Sequence, residues 1–372
     1  MKKILALILA AAMMCTCLVG CGQSAVTETE TQTEEKASAP AEKVVEPSTR
    51  EFTDDLGRTV TVPVTVERIA VSGPLTQVYV FPLCPELFVG FSNAFASDIE
   101  KYFPAEYLSL PELGQLYGGK GTMDLEALLA ADPDVVIDVG DAKSNMAEDL
   151  DALTEQTGIP FVHINANEAS AAEAYLRLGE LTGKTEKAQE LSDWCRENYN
   201  CVADIMAKVD ADGARKRLVY CLGDKGLNVL AEGSFHAGTI NLVSDNAAKL
   251  SEVSFSGDGN EIDMEQLILW NPEVIVFEPN SVYDTAGADP VWQELDAIKN
   301  GEYYRCPWGP YGWLSTPPGV QRYLGMVWLT ALLYPDYVDY DLQELVSEYY
   351  QVFYGYELSD AEYKEMTQES LK

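Results

Sequence analysis

Histidine is almost absent from this chain: of 372 residues only His163 and His236 carry an imidazole. Structural zinc takes four protein ligands and catalytic zinc three, so a bare transition-metal ion caged mainly by histidine is excluded. Basic residues are scarce as well. Lys and Arg number 25 against 60 Asp and Glu, a formal net charge of -35, which excludes a nucleic-acid partner and binding to anionic lipid through a basic patch. Neither HExxH nor GxSxG occurs, and the acids are scattered rather than paired, so an enzyme has little to work with. The opening apolar run, Ile4 to Met14, is too short to span a bilayer comfortably. Of eight cysteines, Cys84, Cys195, Cys201, Cys221 and Cys306 lie beyond residue 21, with no CxxC pair among them. They read as small buried hydrophobes, with a single disulfide left open.

What the chain does contain is a repeat. DLEALLAADPDVVI, from Asp124 to Ile137, returns as DMEQLILWNPEVIV, from Asp263 to Val276, at a constant offset of 139 residues. Five of the fourteen positions are identical and six more are conservative. In each copy an apolar run at helical spacing (Leu125, Leu128, Leu129; Met264, Leu267, Ile268) meets a Pro, and a β-branched run follows. That pattern predicts a short helix, a tight turn and a buried parallel strand. One such repeat, widely spaced, predicts two similar Rossmann-like α/β lobes rather than a solenoid, which needs three or more adjacent copies.

The rest of the chain falls into place around the two copies. Residues 1–20 read as a signal segment, with Lys2 and Lys3 before the apolar run, and 21–50 as a disordered acidic tether of Thr, Glu, Ser, Ala and Pro. An N-terminal α/β lobe is expected over 51–183, a single long helix between the lobes over 184–210, and a C-terminal α/β lobe over 211–372. The helix is predicted because Lys184 to Val209 has no Pro or Gly; its 26 residues would reach about 39 Å. GQLYGGKG, Gly114 to Gly121, approaches a phosphate-binding loop but has Gly121 where magnesium needs Ser or Thr, so it reads as a plain loop.

Ligands of two-lobe α/β proteins lie in the crevice at the carboxyl ends of the strands. Five of the eleven residues from Tyr303 to Trp313 are Tyr or Trp. Interleaved with Gly and Pro, this stretch is predicted to be a loop and not a strand, and Trp308, Tyr311 and Trp313 are candidate cleft walls, with core packing as the competing role. Ser315 or Thr316 is expected to cap a helix with Pro317 in its first turn, leaving backbone N–H groups near an anionic ligand. Arg322, Lys120 and Tyr117 are further candidate contacts. His236 sits at a loop-to-helix junction and is a candidate contact; His163 lies in an apolar strand and reads as structural.

Several stretches resemble a known family. Leu18-Val19-Gly20-Cys21 resembles the lipobox of bacterial lipoproteins, in which the Cys carries the lipid. VERIAVSGP, the "apolar, PD, apolar" element at Pro133-Asp134 with its counterpart at Pro272-Glu273, GSFHAGTI and the run from Gly309-Pro310-Tyr311-Gly312-Trp313-Leu314 to Trp328-Leu329 are similar to the iron-siderophore and cobalamin-binding proteins of ABC importers. That family has a helical backbone between two lobes and a ligand cleft between them. The resemblance implies a lipoprotein anchored through Cys21 outside the cytoplasm. It also implies a permease and ATPase as partners, docked through Glu126 and Glu265, and no cofactor. The implied ligand is a ferric siderophore-like chelate, with cobalamin, haem and a molybdate or tungstate oxyanion as alternatives. A secreted lipoprotein enzyme using the same crevice and a surface adhesin are the readings from other classes.

Overall fold

A computed structural model describes residues 48–93, 99–117, 122–315 and 317–371. Cys21, Lys120 and Thr316, singled out above, lie outside the described residues.

The chain opens with a hairpin of β1 (Thr49–Thr53) and β2 (Thr59–Pro63). Its turn is held by the Asp54 carboxylate, which accepts from the N–H of Leu56 and of Arg58. Then come β3 (Ile69–Val71), α1 (Pro74–Val80), α2 (Leu125–Ala131), β4 (Val135–Gly140), α3 (Met146–Thr157), β5 (Phe161–Asn165) and α4 (Ala171–Thr182). β3, β4 and β5 form a parallel sheet in that order. Helix α5 (Thr185–Ala211) follows without a break for 27 residues. It buries Ala188, Leu191, Cys195, Val202, Ile205 and Val209, spaced three, four or seven apart, which is the stripe a helix needs to lie against a core.

The second half contains β6 (Arg217–Leu222), β7 (Asn228–Val229), α6 (Gly238–Val243), β8 (Asp245–Asn246), β9 (Asn260–Glu261), α7 (Met264–Trp270) and β10 (Val274–Phe277). After these come the short helices α8 (Tyr283–Ala286) and α9 (Asp296–Lys299), β11 (Tyr303–Arg305), α10 (Arg322–Leu333), α11 (Leu342–Tyr354) and α12 (Asp360–Thr367). β6, β10 and β11 are parallel neighbours, with β7 and β9 antiparallel beyond β6.

The repeat is built the same way twice. Asp124 caps α2 by accepting from the N–H of Glu126 and Ala127, and Asp263 caps α7 by accepting from Gln266. Each helix ends on a left-handed residue, Asp132 (φ 49°) and Asn271 (φ 38°), of the two types that tolerate that region best after glycine. Pro133 and Pro272 then prevent continuation. One further device is shared. Arg68 reaches the carbonyls of Ala131 and Asp132, and Arg217 reaches those of Trp270 and Asn271, satisfying helix-end acceptors that would otherwise lack partners.

Two expectations are corrected. The aromatic stretch is not all loop: Tyr303–Arg305 is an edge strand, paired in parallel with Ile275–Phe277, because the Pro and Gly breakers begin only at Pro307. Pro317 is not in the first turn of a helix, and α10 starts at Arg322 with Gln321 as its N-cap. A residue that precedes a proline is pushed out of the helical region, and Pro318 does this to Pro317. The last helices also touch the first half of the chain. The ring-rich face of α11 finds its cover on the first half of the chain, with Tyr350 packed 5.3 Å from Tyr102 and Tyr354 5.2 Å from Phe103, and Glu362 of α12 pairs with Lys101 at 2.5 Å.

Candidate ligand-binding site

The parallel strands β3, β4, β6 and β10 all end at one cavity of about 1110 Å3. Ser72 to Thr76, Asp138, Val139 and Asp141 to Lys143 line it from the N-terminal lobe, with Gln115 and Tyr117 beside them. Leu222, Gly233 to His236, Phe255, Asp258, Glu278 and Ser315 face them from the other lobe. This is where crevices form in open α/β sheets.

The N-terminal wall rests on a buried polar network. Asp138 is 4% exposed and accepts from the Ser72 hydroxyl through one oxygen, while its other oxygen lies 2.6 Å from His163 Nδ1. His163 Nε2 lies 3.0 Å from the Asn165 side-chain oxygen. With both ring nitrogens facing acceptors the imidazole is placed to carry two protons. Burial opposes the charge, but the hydrogen bond and charge of Asp138 together with Asn165 outweigh it and raise the pKa. Thr76 ties the network to the backbone by accepting from the Val139 N–H at 2.9 Å. At the rim the Lys143 ammonium sits 4.2 Å from the centre of the Tyr117 ring, a cation–π distance. Burial, then the charges of Asp138 and Asp149, push the Tyr117 phenol up to about 12.

The opposite wall is neutral and polar at its base. Ser234 starts the segment by accepting from the His236 N–H. Burial and the nearby Arg322 charge lower the His236 pKa, so the ring is neutral at pH 7, and its Nδ1 is buried with no partner. The Ser315 hydroxyl, in a residue 3% exposed, is likewise unpartnered. Phe255, 74% exposed, stands over the opening.

Of the residues singled out from sequence, Tyr117 and His236 line the cavity from opposite sides. Trp308, Tyr311, Trp313 and Arg322 do not. Trp313 is fully buried at 0% exposure and Tyr311 is also buried, because the loop doubles back beneath α10, where Gly325 leaves room for the Trp313 carbonyl. Trp308 is half-buried and bridges Gly312, closing the loop on itself. Arg322, 1% exposed, lies behind the wall: its guanidinium covers the Phe235 ring at 4.8 Å, donates to the Phe235 carbonyl and pairs with Glu168 at 3.1 Å. It therefore braces the His236 segment against the other lobe. Glu126 and Glu265 are exposed on the first turns of α2 and α7. Sequence reasoning passed over Asp138, Lys143, Phe235 and Phe255. Asp138 alone left a clear signal, an acid inside the buried strand VVIDVG.

Two α/β lobes with a cavity at their strand ends place a ligand site between them. The family pattern described as periplasmic binding protein matches residues 90–308. The chain belongs to that family, the substrate-binding proteins of ABC transporters. It is 27% identical to the molybdate-binding protein MolA of Haemophilus influenzae over 339 residues, covering 82% of this chain and 91% of that one. It is 20% identical to the Fe(3+)-citrate-binding protein YfmC of Bacillus subtilis, covering 82% and 89%. Among solved structures, an ABC transporter solute-binding protein from Sulfurospirillum deleyianum superposes with a TM-score of 0.77 at 27% identity, covering 86% of this chain and 99% of that one. These relatives are solute-binding proteins and not enzymes. Family membership implies an extracytoplasmic location, and among the described residues no helix is long and apolar enough to cross a membrane.

Proposed function

We propose that this chain is the receptor of an ABC importer for a metal chelate of the ferric-siderophore kind, held between the lobes and passed to a membrane permease. The observation that carries the reading is the cavity itself. Its volume of about 1110 Å3 lies just above the roughly 300–1,000 Å3 of pockets that bury drug-sized ligands, and a tetrahedral oxyanion would leave most of it empty. Tyr117, Phe235 and Phe255 give it ring faces, which suit a bulky ligand. Among the described residues no three His, Cys, Asp or Glu side chains are grouped to hold a bare ion, so the metal is expected to arrive with its own donors. Tyr117 and His236 are the proposed contacts, one from each lobe.

The relative named for molybdate favours a second reading, an oxyanion receptor, and one titration separates the two. Calorimetry on the purified full chain would use ferric hydroxamate, ferric catecholate, cobalamin, haem, molybdate and tungstate. Micromolar binding of a ferric chelate, weakened about tenfold by His236→Ala through loss of a buried contact, supports the chelate. Tight molybdate or tungstate binding with silence toward iron complexes overturns it.

For delivery, the exposed Glu126 and Glu265 at matching places on the two repeat helices are the proposed permease contacts. Reversing both to Lys is expected to abolish uptake with ligand affinity intact; unchanged uptake would remove them from the interface. Cys21 is the proposed lipid anchor, and Cys21→Ser is expected to leave the membrane fraction.

A further inference from the structure

We infer that Glu168, which does not line the cavity, is a positioning residue of the ligand site: it latches the wall that carries His236 to the N-terminal lobe before any ligand arrives. The latch goes beyond the choice of ligand and holds for a chelate and an oxyanion alike. Glu168 stands just past β5 in the N-terminal lobe, and its contacts cross to the other lobe. One carboxylate oxygen lies 3.1 Å from Arg322 Nη1 and accepts from the Thr239 hydroxyl at 3.0 Å, while the Glu168 carbonyl accepts from the Tyr323 hydroxyl. The Glu168 side chain is 12% exposed and that of Arg322 1%. From there the grip passes to the cavity. The same Arg322 Nη1 donates to the Phe235 carbonyl at 2.9 Å, and the short turn Phe235–Ala237 runs directly into α6, where Thr239 lies. Gly233 to His236 and Asn241 line the cavity, so this wall is held from behind at Phe235 and again at Thr239.

Gly238 supplies a second, independent observation. Its backbone is in the ordinary right-handed helical region, φ -50° and ψ -53°, where Ala is the better helix former, so nothing in the backbone calls for glycine. Space does. A Cβ at 238 would stand 2.5 and 2.7 Å from the two Glu168 carboxylate oxygens, so the carboxylate reaches Thr239 only because residue 238 has no side chain. Displacing or neutralising that carboxylate also touches Arg322, whose Nε and Nη2 are buried without hydrogen-bond partners. Among the described residues Glu168 carries the ion pairing of this guanidinium, and a buried charge that loses its partner is strongly unfavourable.

The test needs no ligand. Amide hydrogen exchange on the purified full chain, followed by mass spectrometry, is expected to quicken about tenfold over 233–243 in Glu168→Gln and in Gly238→Ala, with Val274–Phe277 of the same lobe unchanged. Denaturant unfolding adds a double-mutant cycle. Gly238→Ala is expected to lower the folded-to-unfolded ratio about tenfold in the parent chain and to raise it about fivefold in a Glu168→Ala background, where helix propensity alone acts. Exchange that quickens equally in both segments, or in neither, overturns the latch. So does a Gly238→Ala that destabilises to the same extent with and without the Glu168 carboxylate. If Glu168→Ala does not fold, the exchange pattern of the other two variants decides.

Discussion

In the N-terminal lobe the rung that reaches the cavity reads Ser72, Asp138 and His163; in the C-terminal lobe the corresponding rung reads Cys221, Phe277 and Arg305. The backbones around them match. Asp134 N–H donates to the Arg68 carbonyl at 2.8 Å, and Glu273 N–H donates to that of Arg217 at 2.9 Å. Ile69 pairs with Val135 as Leu218 pairs with Val274. On one frame, then, the first lobe buries a hydrogen-bonded Asp–His pair beside the cavity and the second buries a thiol and a ring, while Arg305 turns outward to Asp284 and Glu369. The frame is common to both lobes because strand pairing and helix ends need the same backbone partners wherever they occur. The polar rung is confined to the lobe where it faces the cavity.

The sharpest way to break this comparison is to remove the centre of each rung. Asp138→Ala leaves His163 buried without its counter-ion and is expected to cost about 3–5 kcal/mol; Phe277→Ala opens a cavity at a cost of about 3–5 kcal/mol. The losses are similar and their pH dependence is not. The His163 pKa is raised in the folded protein, so its contribution is complete below the unfolded value of about 6.5. It disappears as pH rises through the folded value. His236 is shifted the other way and weakens the fold only as pH falls below about 6.5, and the buried cysteines and tyrosines, whose pKa values burial raises, weaken it only above about pH 8, which leaves the window between to His163. Denaturant unfolding between about pH 6.5 and pH 8 should show a decline in the parent chain and in Phe277→Ala, and a flatter profile in Asp138→Ala. Parallel profiles in all three would remove the charged His163 from the account.

Smaller effects sharpen the shared part. Arg217→Ala, which uncovers two carbonyls at a half-buried position, is expected to cost about 1–2 kcal/mol, and Arg68→Ala, at an exposed one, about half as much. Asp124→Ala and Asp263→Ala should each cost about 1 kcal/mol through the lost caps. Asp124 should show the larger loss because it accepts from two N–H groups and Asp263 from one. Chemical unfolding of the four variants checks the order; a large effect in one lobe with none in the other would deny the common frame.

The repeat could be read in the sequence because each copy carries its own punctuation, an Asp cap, an apolar stripe and a Pro before a β-branched run. The long helix was legible for a similar local reason, since nothing between Lys184 and Val209 breaks it. Arg68 and Arg217 were not, because they stand 149 residues apart while the helix ends they cover stand 139 apart, and only folding restores the correspondence. Composition also could not separate a wall from a core. Trp313 and Phe255 are both large and apolar, yet one is wholly buried and the other stands at the opening, and the difference lies in how the Gly- and Pro-rich loop turns back under α10. His236 was legible because its loop resembles a known one, whereas the bracing role of Arg322 depends on Glu168 and Phe235, distant in sequence and on different lobes.

The most direct measurement is the anomalous scattering of iron from crystals of the protein grown with a saturating ferric trihydroxamate. The account predicts a single iron between the lobes, with the chelate's organic shell touching Tyr117 on one side and His236 on the other. Iron bound away from the strand-end cavity, or a cavity that takes up no iron from any ferric chelate at saturation, would contradict it.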